Sequence, residues 1–466
     1  MMPAKSSNTR ERERFSVSAW LYLGLVGFAI AYALSGWPPL QGAAIVFTVC
    51  FMGLEIRRVP RAQLIMGAVL IGGGLAFGGL QRDVLEVFVE GLGRAQIFLI
   101  LFFAVAWLQV PAAASPTLRA VRLTVVSQPP GRRFLYLAGG VHMLGSVLNL
   151  AGLSLLSTMV QNQSEPALRR RMATALMQGF TSASCWSPFY VSVVVVMTAI
   201  PELRWPDLAV GGLPLGLAMI ACAWAYDRAV HRRRPIDPTP AAAPLPTPLP
   251  MIAGFRLAVI LGSLIILVVG LVEGARLSLP VALALVAPPF SWAWLAIVAG
   301  PAPAPAGRHL AAAVMARLPN MRNEAFAFIA ASLFGIGVAS AVPGEAVAAA
   351  ISAAALPGEA MIFLITVGIV GLGAIGLHPV IPVILVGEIL TPEMLALPAP
   401  VMGLALLGVW GLSTLVSPFS ATTLFMSRVL SVPAHTIAWR WNPPYVILAT
   451  LVVFLSLSLV WRMDLF

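Results

Sequence analysis

Long apolar runs follow one another along most of this chain, and short polar segments separate them. The runs do not alternate between apolar and polar residues, as the strands of a membrane β-barrel would. Most have the length of about 17–25 residues that an α-helix needs to cross a bilayer. We therefore predict helical segments at 16–35, 42–56, 64–80, 97–114, 134–160, 172–200, 209–226, 251–272, 279–300, 326–342, 358–390, 399–427 and 445–461.

Two of these segments are interrupted by the same tripeptide, Ser-Pro-Phe, in "TSASCWSPFY" (181–190) and "LSTLVSPFSA" (412–421). Proline lacks a backbone N–H and clashes with the preceding turn, so we predict that each helix breaks there. The neighbouring hydroxyl groups could satisfy the backbone groups that a break frees. The alternative is a proline kink in which these hydroxyls bond back to their own helix.

The arginines indicate how the segments cross the membrane, because short cytoplasmic loops are enriched in Arg and Lys. Arg10, Arg12 and Arg14 place the N-terminus inside. If 134–160 crossed once, Arg169–Arg171 and the basic loop 226–235 would both lie outside. Both return inside if 134–160 is a re-entrant hairpin, a prediction that its Gly-rich sequence permits. A single kinked span is the alternative.

The second half of the chain repeats this plan. Segment 358–390 is too short for two full crossings and contains Pro379 and Pro382. We predict a second hairpin there, which opens from the outer face and leaves Arg428 and Arg440 inside. In each half a hairpin therefore precedes a broken segment.

These features predict the fold class and the domain organisation. Each half has five crossings and one hairpin, and an odd number of crossings inverts the second half relative to the first. We predict an all-α polytopic membrane protein with about 11 transmembrane helices, two re-entrant hairpins and two inverted-topology repeats. Its parts are the N-terminus with an extra first helix (1–41), repeat 1 (42–226), a Pro-rich cytoplasmic linker (227–250) and repeat 2 (251–466).

Composition agrees with this class. Hydrophobic residues make up 59% of the 466 residues and charged residues 10%, whereas soluble proteins contain about 25% charged residues. The net charge of +11 comes from arginines in short loops, so we expect no nucleic-acid partner. The three cysteines lie in apolar surroundings and form neither a disulfide framework nor a metal motif.

The layout of one extra span and two inverted units, each with a hairpin and an unwound helix, resembles the ion transporter superfamily. This superfamily includes the divalent anion/sodium symporters, the arsenite and citrate carriers and the large membrane subunit of TRAP transporters. The Ser-Asn-Thr signature that many dicarboxylate symporters carry at both tips is absent; "GSVLNL" (145–150) and "IGLHPV" (375–380) stand in its place. The resemblance implies an elevator-type carrier, whose transport domain slides against a scaffold that often dimerises.

The candidate binding residues lie at the predicted hairpin tips and breaks. Asn149 and His378 are also candidates for coupling to a proton or a sodium ion, because an ionisable residue inside a membrane is a functional candidate. Helix–helix hydrogen bonding is the alternative for Asn149, and capping of the turn before Pro379 is the alternative for His378. For His142 we expect a packing role. The full substrate-binding set is Ser146, Asn149, Ser182, Ser184, Ser187, His378, Ser413, Thr414 and Ser417.

These residues predict a secondary active transporter for a small, carboxylate-like organic anion, driven by a proton or sodium gradient. Three alternatives stay open: an exporter of an inhibitory compound or inorganic oxyanion, a membrane subunit that works with a soluble binding protein, and an intramembrane enzyme. We expect no enzymatic activity and no cofactor beyond the coupling ion. We also expect a homodimer formed through scaffold helices, located in a bacterial cytoplasmic membrane with its N-terminus inside.

Overall fold

The computed structural model describes residues 16–126, 130–161, 163–231, 251–299 and 303–464. Every regular element in these ranges is helical, and they contain no strand. Nine of their helices are long and apolar enough to cross a membrane, or ten if one bent helix pair counts as a span. The all-helical class predicted above is therefore confirmed. Most of the predicted linker 227–250 lies outside the described residues.

Twenty-one helices follow one another in the described ranges. They are α1 (Val17–Ser35), α2 (Pro38–Glu55), α3 (Arg61–Gly78), α4 (Val84–Ala114), α5 (Pro116–Val126), α6 (Pro130–Leu148), α7 (Leu150–Gln161), α8 (Pro166–Ser182), α9 (Val191–Ala199), α10 (Trp205–His231), α11 (Met251–Ala275), α12 (Leu279–Ala299), α13 (Pro303–Met315), α14 (Arg322–Ala341), α15 (Gly344–Ala354), α16 (Gly358–Ala374), α17 (Val380–Ile389), α18 (Ala399–Val416), α19 (Ala421–Leu430), α20 (Ala434–Thr436) and α21 (Pro443–Arg462).

Local chemistry fixes several helix ends. The Ser16 side chain accepts a hydrogen bond from the Ala19 N–H at the start of α1, and Gly36 ends that helix in the left-handed conformation. Asp83 caps α4 in the same way as Ser16 caps α1. Such caps satisfy amides that the first helical turn leaves free. They explain why these helices begin and end where they do.

The largest difference from the predicted boundaries concerns α4. This helix begins at Val84, whereas the predicted segment begins at 97. Its first turns carry Glu86, Glu90 and Arg94, which interrupt the apolar run but form ion pairs along the helix with one another and with Arg82. Ion pairs at helical spacing add to the stability of a helix where its apolar run is interrupted.

Both predicted hairpins are pairs of short helices. Helices α6 and α7 join at a single residue, Asn149, and pack against each other. Helices α16 and α17 join through residues 375–379. Helix α15, which precedes the second hairpin, meets α16 at an angle of 118° and so forms a lateral arm before the hairpin.

The two halves make reciprocal contacts. Helix α3 packs against α14, and α12 packs against α4; α7 packs against α19, and α17 packs against α9. Within each half, the first hairpin arm packs against the first part of the broken helix, α6 on α8 and α16 on α18. A two-fold relation between repeats produces such a pattern. The division of the chain into two repeats, and their opposite orientation in the membrane, stay predictions.

Candidate functional site

The tip of the first hairpin is a tight turn at Asn149. This residue adopts a left-handed conformation with φ of 54°, which asparagine tolerates better than most residues. Its Oδ1 accepts a hydrogen bond from the Leu150 N–H at 2.9 Å. A Cβ atom on Gly152 would lie 2.7 Å from the Leu144 carbonyl oxygen, so the two arms are in backbone contact just behind the tip.

The first break lies between α8 and α9, as predicted, and its candidate hydroxyls are all engaged. The Ser182 hydroxyl donates to the Gly179 carbonyl at 2.8 Å, and the Ser184 hydroxyl donates to the Thr181 carbonyl at 2.7 Å. The Ser187 hydroxyl donates to the carbonyl of Ser146. This last bond attaches the break directly to the first hairpin tip.

His142 belongs to the same closed network. The Trp186 Nε1–H donates to His142 Nε2 at 3.0 Å. An indole nitrogen can only donate, so Nε2 is unprotonated and the proton of the neutral ring is on Nδ1. That Nδ1–H donates to the Ser182 oxygen at 2.8 Å. Both ring nitrogens are therefore occupied within the protein.

The second hairpin tip contains His378. Its Nδ1 accepts the Val380 N–H at 3.3 Å, at the start of α17. The bonded N–H follows Pro379, whereas the alternative given above for His378 concerned the turn before Pro379. The ring also stands edge-on to Trp410 of α18, with centroids 6.1 Å apart. The hairpin tip thus lies against the helix that carries the second break.

The second break lies between α18 and α19, and it differs from the first. The Thr414 hydroxyl donates to the Gly411 carbonyl at 2.7 Å, and the Ser420 hydroxyl donates to the Thr414 carbonyl at 2.6 Å. Ser413 and Ser417 are 0% and 1% exposed. Neither of their hydroxyls has a hydrogen-bond partner in the part of the chain that the structure describes.

The two breaks are neighbours in space. A Cβ atom on Gly411 would lie 2.9 Å from the Ser184 hydroxyl oxygen, because α18 crosses the first break at this glycine. The structure therefore brings together the predicted residues around Ser146, Ser184 and Ser187 with those around Thr414. No hydrogen bond joins Asn149 to His378 among the described residues.

Four polar residues next to this region were not predicted as site residues. Gln109 of α4 donates from Nε2 to the Leu148 carbonyl at the first tip, at 3.5 Å, and the Arg317 Nη1 lies 3.4 Å from Gln109 Oε1. Arg94 of α4 forms an ion pair with Glu388 of α17. A glutamine within an apolar run was the available sequence signal for Gln109; nothing local indicated the partners of the arginines.

Comparison with models of protein families gives no match. Comparison with curated protein sequences also gives none. Among solved structures, a crystal structure of the Alcanivorax borkumensis YdaH transporter, described as having an unusual topology, has a similar fold. The TM-score is 0.61 at 14% sequence identity, and the alignment covers 87% of this chain and 99% of that chain. At this identity the likeness concerns the fold.

Proposed function

We propose that this protein is a secondary active membrane transporter of the elevator type, which moves a small carboxylate-like anion coupled to a proton or sodium gradient. The fold of a solved transporter supports the transport function. The observation that carries the site is the pair of buried, unpartnered hydroxyls of Ser413 and Ser417 at the second break. A buried hydroxyl without a partner costs about 1–3 kcal/mol, and a ligand that accepts its hydrogen bond recovers this energy.

An anionic substrate agrees with the helix ends at this position. Helix α19 begins four residues after Ser417, and the free amides at a helix N-terminus favour negative charge. Of the amides in the first turn of α19, the Ser420 side chain accepts a hydrogen bond from the Thr423 N–H alone, within the described structure. The candidate residues at both breaks include no carboxylate, so no side chain there opposes a bound anion.

The elevator element of the proposal is supported by the contacts of α4. This helix packs against α12 and α14, and it touches both hairpins, at Gln109 and at Arg94. We assign α4 to the scaffold and the hairpins with the broken helices to the moving domain. Homodimer formation through scaffold helices belongs to the same proposal and is supported by the exposed apolar residues Ile65 and Val69 on α3.

The test is flux into proteoliposomes with a panel of carboxylates and inorganic anions, with and without imposed sodium and proton gradients in each direction. We expect gradient-dependent movement of at least one carboxylate. Ser413→Ala and Ser417→Ala should each weaken its apparent affinity about 10-fold or more, since a hydrogen bond to a charged group contributes about 1.5–3 kcal/mol.

Ser332→Ala is the matched control for these variants. Ser332 of α14 is also fully buried and its hydroxyl also lacks a partner among the described residues, but it lies outside both breaks. We expect unchanged kinetics for this variant. Wild-type affinity in both Ser413→Ala and Ser417→Ala would move the site elsewhere, and absence of any gradient-dependent flux would contradict the transporter proposal itself.

A further inference from the structure

A large apolar groove runs along the outside of the molecule between α16 and α21. Its volume is about 560 Å³. Among the described residues that line it, only Thr450 and Trp439 have polar groups in their side chains, and both groups form hydrogen bonds within the protein. The Thr450 hydroxyl donates to the Val446 carbonyl at 2.8 Å, and the Trp439 Nε1–H donates to the Ala374 carbonyl at 2.9 Å. The groove therefore offers hydrocarbon contact and no hydrogen bond.

The two helices that form the groove run antiparallel. Glu359 at the start of α16 pairs with Arg462 at the end of α21, at 2.7 Å. Phe363 meets Phe454 edge-on, with ring centroids 5.6 Å apart. At the other end of α16, the Ala374 carbonyl accepts the hydrogen bond from Trp439. Trp439 lies just before the start of α21. These three contacts order the groove wall from the Glu359–Arg462 end to the Trp439 end.

The groove covers most of this wall. It extends along α16 from Phe363 to Ala374, which at 1.5 Å per residue is about 16 Å. One leaflet contributes about 15 Å to a hydrocarbon core of about 30 Å. Trp439 precedes the candidate membrane span of α21 by only a few residues, so the groove begins near one interface and its length is close to the thickness of one leaflet.

The Trp439 end has the chemistry of a membrane interface. Trp439 is 52% exposed, and tryptophan is enriched at the level of the lipid headgroups. The next residue, Arg440, is exposed and forms no ion pair with any residue that the structure describes. The distribution of arginines places Arg440 on the cytoplasmic side, where the leaflet contains anionic lipids.

We propose that this groove binds one acyl chain of an anionic phospholipid from the cytoplasmic leaflet, and that Arg440 pairs with its headgroup phosphate. The length of the groove, its apolar wall and the unpaired Arg440, which follows the lining residue Trp439 in the chain, all match this occupant. A bound chain lies against the first arm of the second hairpin and so contacts the candidate moving domain. The inference does not depend on what the protein transports.

Two glycines of α16 provide a matched pair of variants. Gly371 lines the groove, whereas Gly368, on the same helix, does not. A Cβ atom at either position would meet nothing within 4 Å, so the first carbon of a larger side chain meets no obstacle in either case. Leucine at 371 fills the groove, and leucine at 368 adds the same apolar surface beside it.

The experiment uses purified, delipidated full-length protein titrated with phosphatidylglycerol or phosphatidylcholine of identical acyl chains, with bound lipid counted by native mass spectrometry. We expect phosphatidylglycerol to bind about fivefold more tightly, the preference that one basic residue near anionic lipid supplies. Gly371→Leu should weaken binding of both lipids at least fivefold, and Gly368→Leu should leave it unchanged. Arg440→Gln should remove the preference, whereas Arg428→Gln, at another exposed cytoplasmic arginine, should keep it.

The following outcomes would contradict the proposed lipid site. Equal binding by Gly371→Leu and Gly368→Leu would overturn the groove as the site. Equal affinity of the wild-type protein for the two lipids, or a preference that survives Arg440→Gln, would overturn the headgroup pairing. Size-exclusion profiles identify any variant that misfolds, and the Arg440→Gln measurement remains decisive if Gly371→Leu does not fold.

Discussion

The ion pair between Arg94 and Glu388 connects the candidate scaffold to the candidate moving domain, and its strength can be derived from its burial. The two side chains are 22% and 18% exposed. Removal of one partner from a fully buried pair costs about 3–5 kcal/mol, whereas exposed pairs contribute about 0.2–1 kcal/mol. A pair that is mostly but not fully buried lies between these limits, so we expect a coupling free energy of about 2 kcal/mol.

The perturbation is a double-mutant cycle of Arg94→Gln and Glu388→Gln, because glutamine keeps the approximate size and removes the charge. Arg94 also lies 3.9 Å from Glu90, and the cycle subtracts this second contact because it is lost in both variants that lack Arg94. The measurement is the free energy of unfolding in mixed detergent–SDS micelles. The exposed pair Arg204–Asp207, with side chains 66% and 32% exposed, serves as the control and should couple by less than about 1 kcal/mol.

The reasoning is refuted if the Arg94–Glu388 coupling is below about 0.5 kcal/mol or does not exceed that of the control pair. A coupling near 2 kcal/mol would mean that any sliding of α17 along α4 has to supply this free energy. In that case Glu388→Gln should also shift the conformational equilibrium by about 30-fold, which is the same free energy expressed as a ratio.

Further predictions concern the two hairpins and the two breaks. Asn149→Ala should cost about 1–2 kcal/mol and Asn149→Gly much less, because only glycine adopts φ of 54° without strain; equal unfolding free energies would contradict this. Gly152→Ala should cost about 1–3 kcal/mol through the contact with Leu144, whereas Gly139→Ala in the same hairpin, where a Cβ meets nothing, should not destabilise; a similar loss in both variants would rule out the steric explanation. Ser182→Ala should cost about 1–3 kcal/mol because it removes the acceptor of the His142 Nδ1–H, while Ser413→Ala removes an unpartnered hydroxyl and should be close to neutral. His378→Ala should change the pH dependence of transport while expression stays intact, and identical pH profiles would remove His378 from the coupling role.

The comparison of sequence with structure is most informative at the hairpins and breaks. Proline and clustered hydroxyls at 181–190 and 412–421 predicted both interruptions, and glycines around Asn149 predicted the first hairpin. These features are local: the missing N–H of a proline or the freedom of a glycine acts within one or two helical turns. The arginines outside the apolar runs likewise indicated which segments turn back.

The sequence alone did not reveal which of these polar groups forms a hydrogen bond within the protein. Ser187 and Ser417 occupy equivalent tripeptides, yet the hydroxyl of Ser187 bonds to the first hairpin tip and that of Ser417 has no partner in the described structure. Glu388 pairs with an arginine 294 positions away, and no local feature of the sequence identifies this partner.

Apolar runs, breaks and charge distribution thus determined the class of this protein and the place of its irregular backbone, because each follows from the chemistry of neighbouring residues in a low-dielectric solvent. Only the tertiary structure decided which hydroxyls lack a hydrogen-bond partner among the described residues, which helix contacts both hairpins and where the α16–α21 groove lies. These depend on packing between helices far apart in the chain, and two identical short motifs acquire different roles when different helices lie against them.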